Sequence, residues 1–264
     1  MPFAVNELKR NLAYKGSFYL FMICSCFSAF ISYCLWMAIY GSSETGVLGG
    51  LTKNQMVVYV FMTYITSEMV SVGLTGYIEN DVREGTVVMN LIKPMDYRLS
   101  LISKAMGNVM YRFLAPALFV WIGLEIYKVK ALGMGVTSLK NILLYLMSVI
   151  FSVLIYQLFD FCFGMMSFVT TYMFGLKMAK NALIGFLTGQ LIPISFFPEV
   201  FQHVFDYLPF SSMVYTPVMI YLGKYTGEDL VAVLLRQVIW IVLLYGLGSF
   251  LWQRITKRLV VLGG

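Results

Sequence analysis

Charge is what this chain has least of. Only 12% of its 264 residues are charged, about half the share of an average soluble domain. Residues 16–43, 141–159, 161–176, 181–198, 207–223 and 237–253 carry no charge at all. A soluble domain could not cover its surface with so few charges. That excludes an ordinary cytosolic enzyme, a disordered chain and a nucleic-acid binder, the last despite a net charge of +6. Cysteines are also sparse. Cys24, Cys26 and Cys34 fall in one apolar run and Cys162 in another, without a Cys-x-x-Cys pair, so they read as small packing residues. A phosphate-binding G-x-x-x-x-G-K-[ST] loop is missing too, because Val218 stands where Gly223-Lys224 would need its first glycine. The single histidine, His203, has no metal-spaced partners, and no catalytic triad can be assembled. The chain reads as neither an enzyme nor a metal site. Its 18 methionines are scattered and read as adaptable packing rather than a copper route.

What is present is apolar sequence: 59% of residues are hydrophobic. A hydrocarbon layer about 30 Å thick needs roughly 20 helical residues. Six stretches meet or approach that length: 17–40, 54–77, 105–127, 139–167, 180–197 and 230–252. The expected fold is therefore an all-α integral membrane protein, one domain over 1–264 with six transmembrane helices and both termini on one side. The first run is far longer than a signal-peptide core, so it is expected to be retained. Thirteen basic residues lie on the side of the termini and six on the other, and the positive-inside rule makes the richer side cytoplasmic. Lys128, Lys130 and Lys140 fit least well, since this scheme leaves them outside.

Three stretches outside the spans look shaped for work. Residues 3–14 carry Val5, Leu8 and Leu12 at helical spacing with Glu7, Lys9 and Arg10 elsewhere, as in a short amphipathic helix lying among lipid headgroups. Residues 76–107 crowd Glu79, Asp81, Arg83, Glu84, Lys93, Asp96, Arg98 and Lys104 together. There Ile78 and Val82 form an apolar face that Val88, Leu91 and Ile92 continue beyond Gly85, until Pro94 stops the helix. Such a segment is either a docking helix for a soluble partner or a solvated connection. Residues 194–224 are too apolar for a free loop, yet Pro198, Pro209 and Pro217 forbid one span. Short helices dipping into the outer leaflet suit them.

These residues carry a family resemblance. Six spans, the amphipathic start, the run IENDVREGTVVMNLIKPMDYRLS after the second span and the proline-broken segment after the fifth resemble the type-2 ABC exporter permeases. Leu208-Pro209-Phe210 is a second, weaker match. The resemblance covers the whole chain and lies nearest the drug, antibiotic or peptide exporters. It implies that Glu79, Asp81, Arg83, Glu84, Gly85, Leu91 and Pro94 belong to a coupling helix seated on a separate ATP-binding-cassette ATPase. The nucleotide and its Mg would then be held by that partner, with no cofactor in this chain. It also implies outer re-entrant helices around Pro198, Pro209, Phe210 and Pro217. A second permease, identical or homologous, would meet this one through the first and fifth spans. The setting is the bacterial plasma membrane, and the cargo a hydrophobic or amphipathic substrate such as a drug, peptide or lipid-like molecule.

Inside the spans, Ser25, Ser28 and Ser32 share one face of the first helix. Asn181, Gly185 and Thr188 share another on the fifth, with Gly185-x-x-x-Gly189 permitting close approach. They read equally as a weakly polar pathway lining or as ordinary helix contacts. Glu68 and Asp160 each cost about 2.5–3.5 kcal/mol at mid-membrane, so they should face protein or water. Pairing is one reading. A site in an ATP-independent carrier or channel is the rival.

Overall fold

The computed structural model describes residues 2–13, 15–43, 46–92, 96–170 and 172–262. Among these the chain is almost wholly helical, and its one hairpin pairs β1 (Val47–Leu48) antiparallel to β2 (Leu51–Thr52). The helices are α1 Pro2–Ala13, α2 Lys15–Gly41, α3 Lys53–Val70, α4 Thr75–Arg83, α5 Thr86–Ile92 and α6 Tyr97–Arg112, then α7 Leu118–Lys130, α8 Leu139–Gly164, α9 Phe174–Leu187, α10 Glu199–Tyr207, α11 Tyr215–Tyr221 and α12 Gly227–Leu262. Three stretches among the described residues are long and apolar enough to cross a membrane: Lys53–Arg83, Leu139–Phe168 and Gly227–Lys257. The 27 residues of α2 extend about 40 Å.

Helix boundaries depart from the expected spans where local chemistry overrides hydropathy. The second expected helix, 54–77, is interrupted: α3 ends at Val70, and 71–74 are non-helical before α4 starts at Thr75. The third begins well before residue 105. Asp96 caps α6 by accepting from the Leu99 N–H at 3.1 Å, and a π-helical turn, Phe113–Ala117, carries the helix on into α7. Pro116 falls in that wide turn, where its missing N–H is tolerated. The fifth expected helix, 180–197, is displaced. The 14-residue α9 runs from Phe174 to Leu187, and Gly189 then turns the chain with φ +78°. At the far end of the sequence, α12 is longer than 230–252 at both ends.

The core forms where α3 and α8 pack with α11 against both. Tyr59, Tyr145 and Phe161 are fully enclosed there. The rings of Trp121, Tyr145 and Tyr221 meet edge to face at centroid distances of 5.3, 5.4 and 6.0 Å, a favoured arrangement for aromatic groups. By contrast α2 and α12 point apolar side chains outward. Leu20, Ile23, Phe27 and Leu35 on α2, and Leu235 and Val242 on α12, are all more than half exposed. Apolar faces of this extent suit lipid rather than water.

The amphipathic start forms a helix as expected, but it docks on protein. α1 lies along α6, and Glu7, expected to point away, is buried. Its Oε1 accepts from the Tyr77 hydroxyl at 2.9 Å and from Asn108 Nδ2 at 3.2 Å. Close approach depends on Gly107, where a Cβ would sit 2.3 Å from the Ala4 carbonyl oxygen. Because that obstacle is backbone, Gly107→Ala must push α1 off α6. We expect a loss of about 1–3 kcal/mol, typical of overpacking, read as a lower thermal midpoint in detergent together with faster proteolysis within α1.

Candidate functional site

The charged connection folds into two short helices about a left-handed turn. Gly85 has φ +70°, a conformation that favours glycine, so α4 and α5 meet at an angle instead of forming one rod. Asp81 closes the corner from inside. Its carboxylate accepts from Thr86 Oγ1 at 3.0 Å, Asn90 Nδ2 at 3.1 Å and the Tyr97 hydroxyl at 2.7 Å. Burial, and then the adjacent Asp81 carboxylate, hold the Tyr97 phenol well above its usual pKa, so it remains a neutral donor. Tyr97 in turn stacks on Trp252 of α12 at 4.9 Å. Glu79 forms an ion pair with Lys177 of α9.

These contacts divide the nominated residues into two groups. Glu79 and Asp81 are turned inward and hold the corner together. Arg83, Glu84 and Gly85 are exposed at its tip. Val88 and Met89 stand beside them, 53% and 64% exposed, while Val87 anchors α5 in the interior. The sequence nominated the charges and missed Met89, whose only signal was its place next to Val88. Leu91 is in the last turn of α5, its side chain outside the described residues, and Pro94 lies outside them altogether.

The root of α4 is fixed by Asp160, which has no exposed surface. Its Oδ2 accepts the Thr75 backbone N–H at 2.7 Å, and its own carbonyl accepts from Thr75 Oγ1 at 3.1 Å. That carboxylate occupies the N-terminal end of α4, where unpaired N–H groups favour an anion. Gly73 makes room, since a Cβ there would lie 2.5 Å from Asp160 Oδ2. The charge itself is met by Lys180 of α9. Lys177 and Lys180, one turn apart on α9, thus grip α4 and α8 respectively. The second nominated acid is paired as well. Glu68 Oε2 lies 3.3 Å from Arg112 Nη1, and its Oε1 accepts from Tyr64 at 3.2 Å.

The residues nominated for a pathway or dimer face are not assembled into one surface within this chain. Ser28, exposed on α2, donates to the Cys24 carbonyl at 3.0 Å, and Ser32 is half-buried. Ser25 is on the same helix, with its side chain outside the described residues. Asn181 is exposed on α9 and Gly185 partly so. Thr188 and Gly189, however, lie past the helix end. Thr188 donates to the Ile184 carbonyl at 2.7 Å, and the Gly189 carbonyl accepts from the Tyr59 hydroxyl at 2.6 Å. The glycine pair expected to share a helix face does not, because the second glycine makes the turn.

At the opposite end, the proline-broken segment forms the short helices α10 and α11. Pro198 precedes α10 and is exposed, Pro209 is buried between the helices, and Pro217 sits buried in α11. Phe210 packs on Phe159 at 5.4 Å. Gln237 of α12, fully buried and not nominated from sequence, ties this segment down: its Nε2 donates to the Ser212 carbonyl at 2.9 Å and to Ser152 Oγ at 3.1 Å. Tyr221 of α11 donates to Glu125, which also pairs with Lys128 at 3.1 Å. Lys128, expected in an outside loop, is therefore a buried residue of α7.

Comparison with known families finds one model that matches, described as an ABC-2 family transporter protein, over residues 18–263. No curated protein matches the chain.

Asp160→Asn should leave Lys180 buried without a counter-charge. Breaking such a pair costs about 3–5 kcal/mol, visible as a lower thermal midpoint. Adding Lys180→Met should recover most of that loss. A single variant as stable as the parent, or a double variant no better than the single, would contradict the assignment.

Proposed function

The chain belongs to the ABC-2 transporter family, and from that premise we propose that it is the membrane-spanning permease subunit of an ATP-driven exporter. Six crossings are assigned to α2, α3, the α6–α7 helix, α8, α9 and α12, with both termini in the cytoplasm of a bacterial cell. On this reading α9 needs the turn and 3-10 segment up to Phe196 to finish its crossing, because 14 residues reach only about 21 Å. A separate ATP-binding-cassette ATPase, holding ATP and Mg, docks on the α4–α5 corner. A second permease, identical or homologous, completes the assembly through α2 and α9. The cargo is a hydrophobic or amphipathic molecule that leaves past α10 and α11.

The observation that carries this reading is the construction of the corner. Its tip presents Arg83, Glu84, Val88 and Met89 outward, a mixed apolar and charged patch of the kind that protein interfaces use. Its base is fixed by Asp81, Glu79 and Asp160, so a push at the tip is delivered to α8 and α9 rather than absorbed. The rival carrier would need acids free to bind ions, whereas Glu68 and Asp160 each face a base.

Purification in mild detergent with mass spectrometry of the co-purifying chains tests the proposal. A stoichiometric partner with a phosphate-binding glycine loop is expected. Met89→Glu should weaken its association by about 2 kcal/mol, roughly thirty-fold in Kd. Gly85→Pro cannot adopt the positive φ and should uncouple ATP hydrolysis from export while the protein still inserts. Isolation of the chain alone, or unaltered export by both variants, would overturn the proposal.

A further inference from the structure

A second site lies away from the corner, in a cleft of about 360 Å³ between α2, α3 and α7. That volume is within the range of small-molecule sites, about 300–1,000 Å³. Phe30, Phe61, Val120 and Leu124 line it, together with Gly123. Apart from its chain neighbours and its own helix backbone, no heavy atom lies within 4 Å of where a Gly123 Cβ would stand. Among the described residues that line it, the polar side-chain groups are two hydroxyls, Tyr33 and Tyr127, whose oxygens are 3.3 Å apart. In such a pair one hydroxyl donates to the other, and the acceptor keeps its own O–H for a further partner. One turn beyond Tyr127 on α7, Lys130 is exposed.

Along α7 the chemistry thus runs from hydrocarbon walls at Val120 and Leu124, through a hydroxyl donor at Tyr127, to an ammonium at Lys130. The distance from Val120 to Tyr127 is about 10 Å at 1.5 Å per residue. We propose that this cleft binds one ester-linked chain of a bilayer phospholipid: the acyl tail between α2 and α7, the ester carbonyl accepting from the tyrosine pair, the phosphate facing Lys130. The order of groups matches a glycerophospholipid read from tail to head. Tyrosine and lysine near the end of a membrane helix suit that level of the bilayer. This site goes beyond the transport reading, since it needs a bilayer and no ATPase.

The test uses the full chain in nanodiscs containing a trace of phospholipid with a photoactivatable diazirine midway along one acyl chain. After irradiation, label should be enriched on peptides containing Phe30 and Leu124 over peptides from the outward face of α12 around Val242. Gly123→Phe, whose Cβ meets no neighbouring element, should reduce labelling of the cleft to the α12 level while leaving α12 labelling and the thermal midpoint unchanged. With an ester-linked probe and its ether-linked analogue, the parent should prefer the ester by about five-fold, the worth of one hydrogen bond. Tyr33→Phe with Tyr127→Phe should remove that preference but keep the tail. Equal labelling of cleft and α12, or cleft labelling indifferent to Gly123→Phe, would reduce it to ordinary lipid contact and overturn the proposal. A cleft unlabelled in the parent, as if covered by a second copy of the chain or by a transported substrate, would overturn it equally.

Discussion

The Asp160 carboxylate sets the arrangement of three helices from a position without solvent. A lone acid in an apolar bundle costs several kcal/mol, and a helix broken inside such a bundle leaves backbone N–H groups that must find partners. Each difficulty answers the other here. The break at 71–74 exposes the Thr75 N–H, and Asp160 accepts it at 2.7 Å. Lys180 supplies the counter-charge from α9. Gly73 provides the missing volume, because any side chain there would strike the carboxylate. Remove the acid and α4 loses its anchor, α9 loses one of its two ionic grips, and a lysine is left buried. The chain has few charges, and this one is spent on joining elements.

The same economy governs other polar groups within the bundle. Glu68 with Arg112 joins α3 to the end of α6. Glu125, Lys128 and Tyr221 join α7 to α11. Gln237 joins α12 and α8 to the turn at Ser212. Helices in lipid gain little from burying apolar surface against one another, so packing and polar contacts select their partners. That explains why a segment as apolar as 194–224 holds one course despite its prolines. Its backbone carbonyl at Ser212 accepts from Gln237 and from Ser152, while the ring of its Tyr221 is buried beside Trp121 and Tyr145.

Hydropathy made most of the helical architecture legible, since charge-free runs and long helices coincide at α2, α8 and α12. It could not locate breaks within such runs. Ser71-Val72-Gly73-Leu74 contains no proline, and its departure from helix depends on Asp160, 85 residues away from Thr75. The end of α9 departs from expectation for a related reason: 181–197 is free of charge and no proline within it precedes Pro193, so the turn shows in the positive φ of Gly189. Among the corner residues, sequence identified the segment and not the division of labour within it. Glu79 and Asp81 look no different from Glu84 on paper. Which acids face inward depends on where Thr86, Asn90, Tyr97 and Lys177 lie, and those positions follow from Gly85 and from the docking of α9. Gln237, one amide in ordinary helical surroundings, carries no sequence signal, and Met89 carries only its place next to Val88.

The two lysines of α9 bear on how the corner could act. This helix touches the rest of the bundle lightly along its backbone, and Phe174, Met178 and Leu183 are all more than half exposed. Its attachment is concentrated in Lys177–Glu79 and Lys180–Asp160 at one end and in Thr188–Gly189 at the other. A lightly packed helix held by point contacts moves with whatever it is tied to, whereas a helix packed along its length resists. On the proposed function, displacement of α4 by an ATPase would therefore shift α9 before it disturbed the α3–α8 core. α9 is also the helix assigned to meet the second permease, so a lightly packed element lies between the point of force and the partner surface. Tight packing elsewhere and sparse ionic tethering here follow from one distribution of charge, in which the basic residues of α9 all fall in its first half and the rest is apolar or neutral.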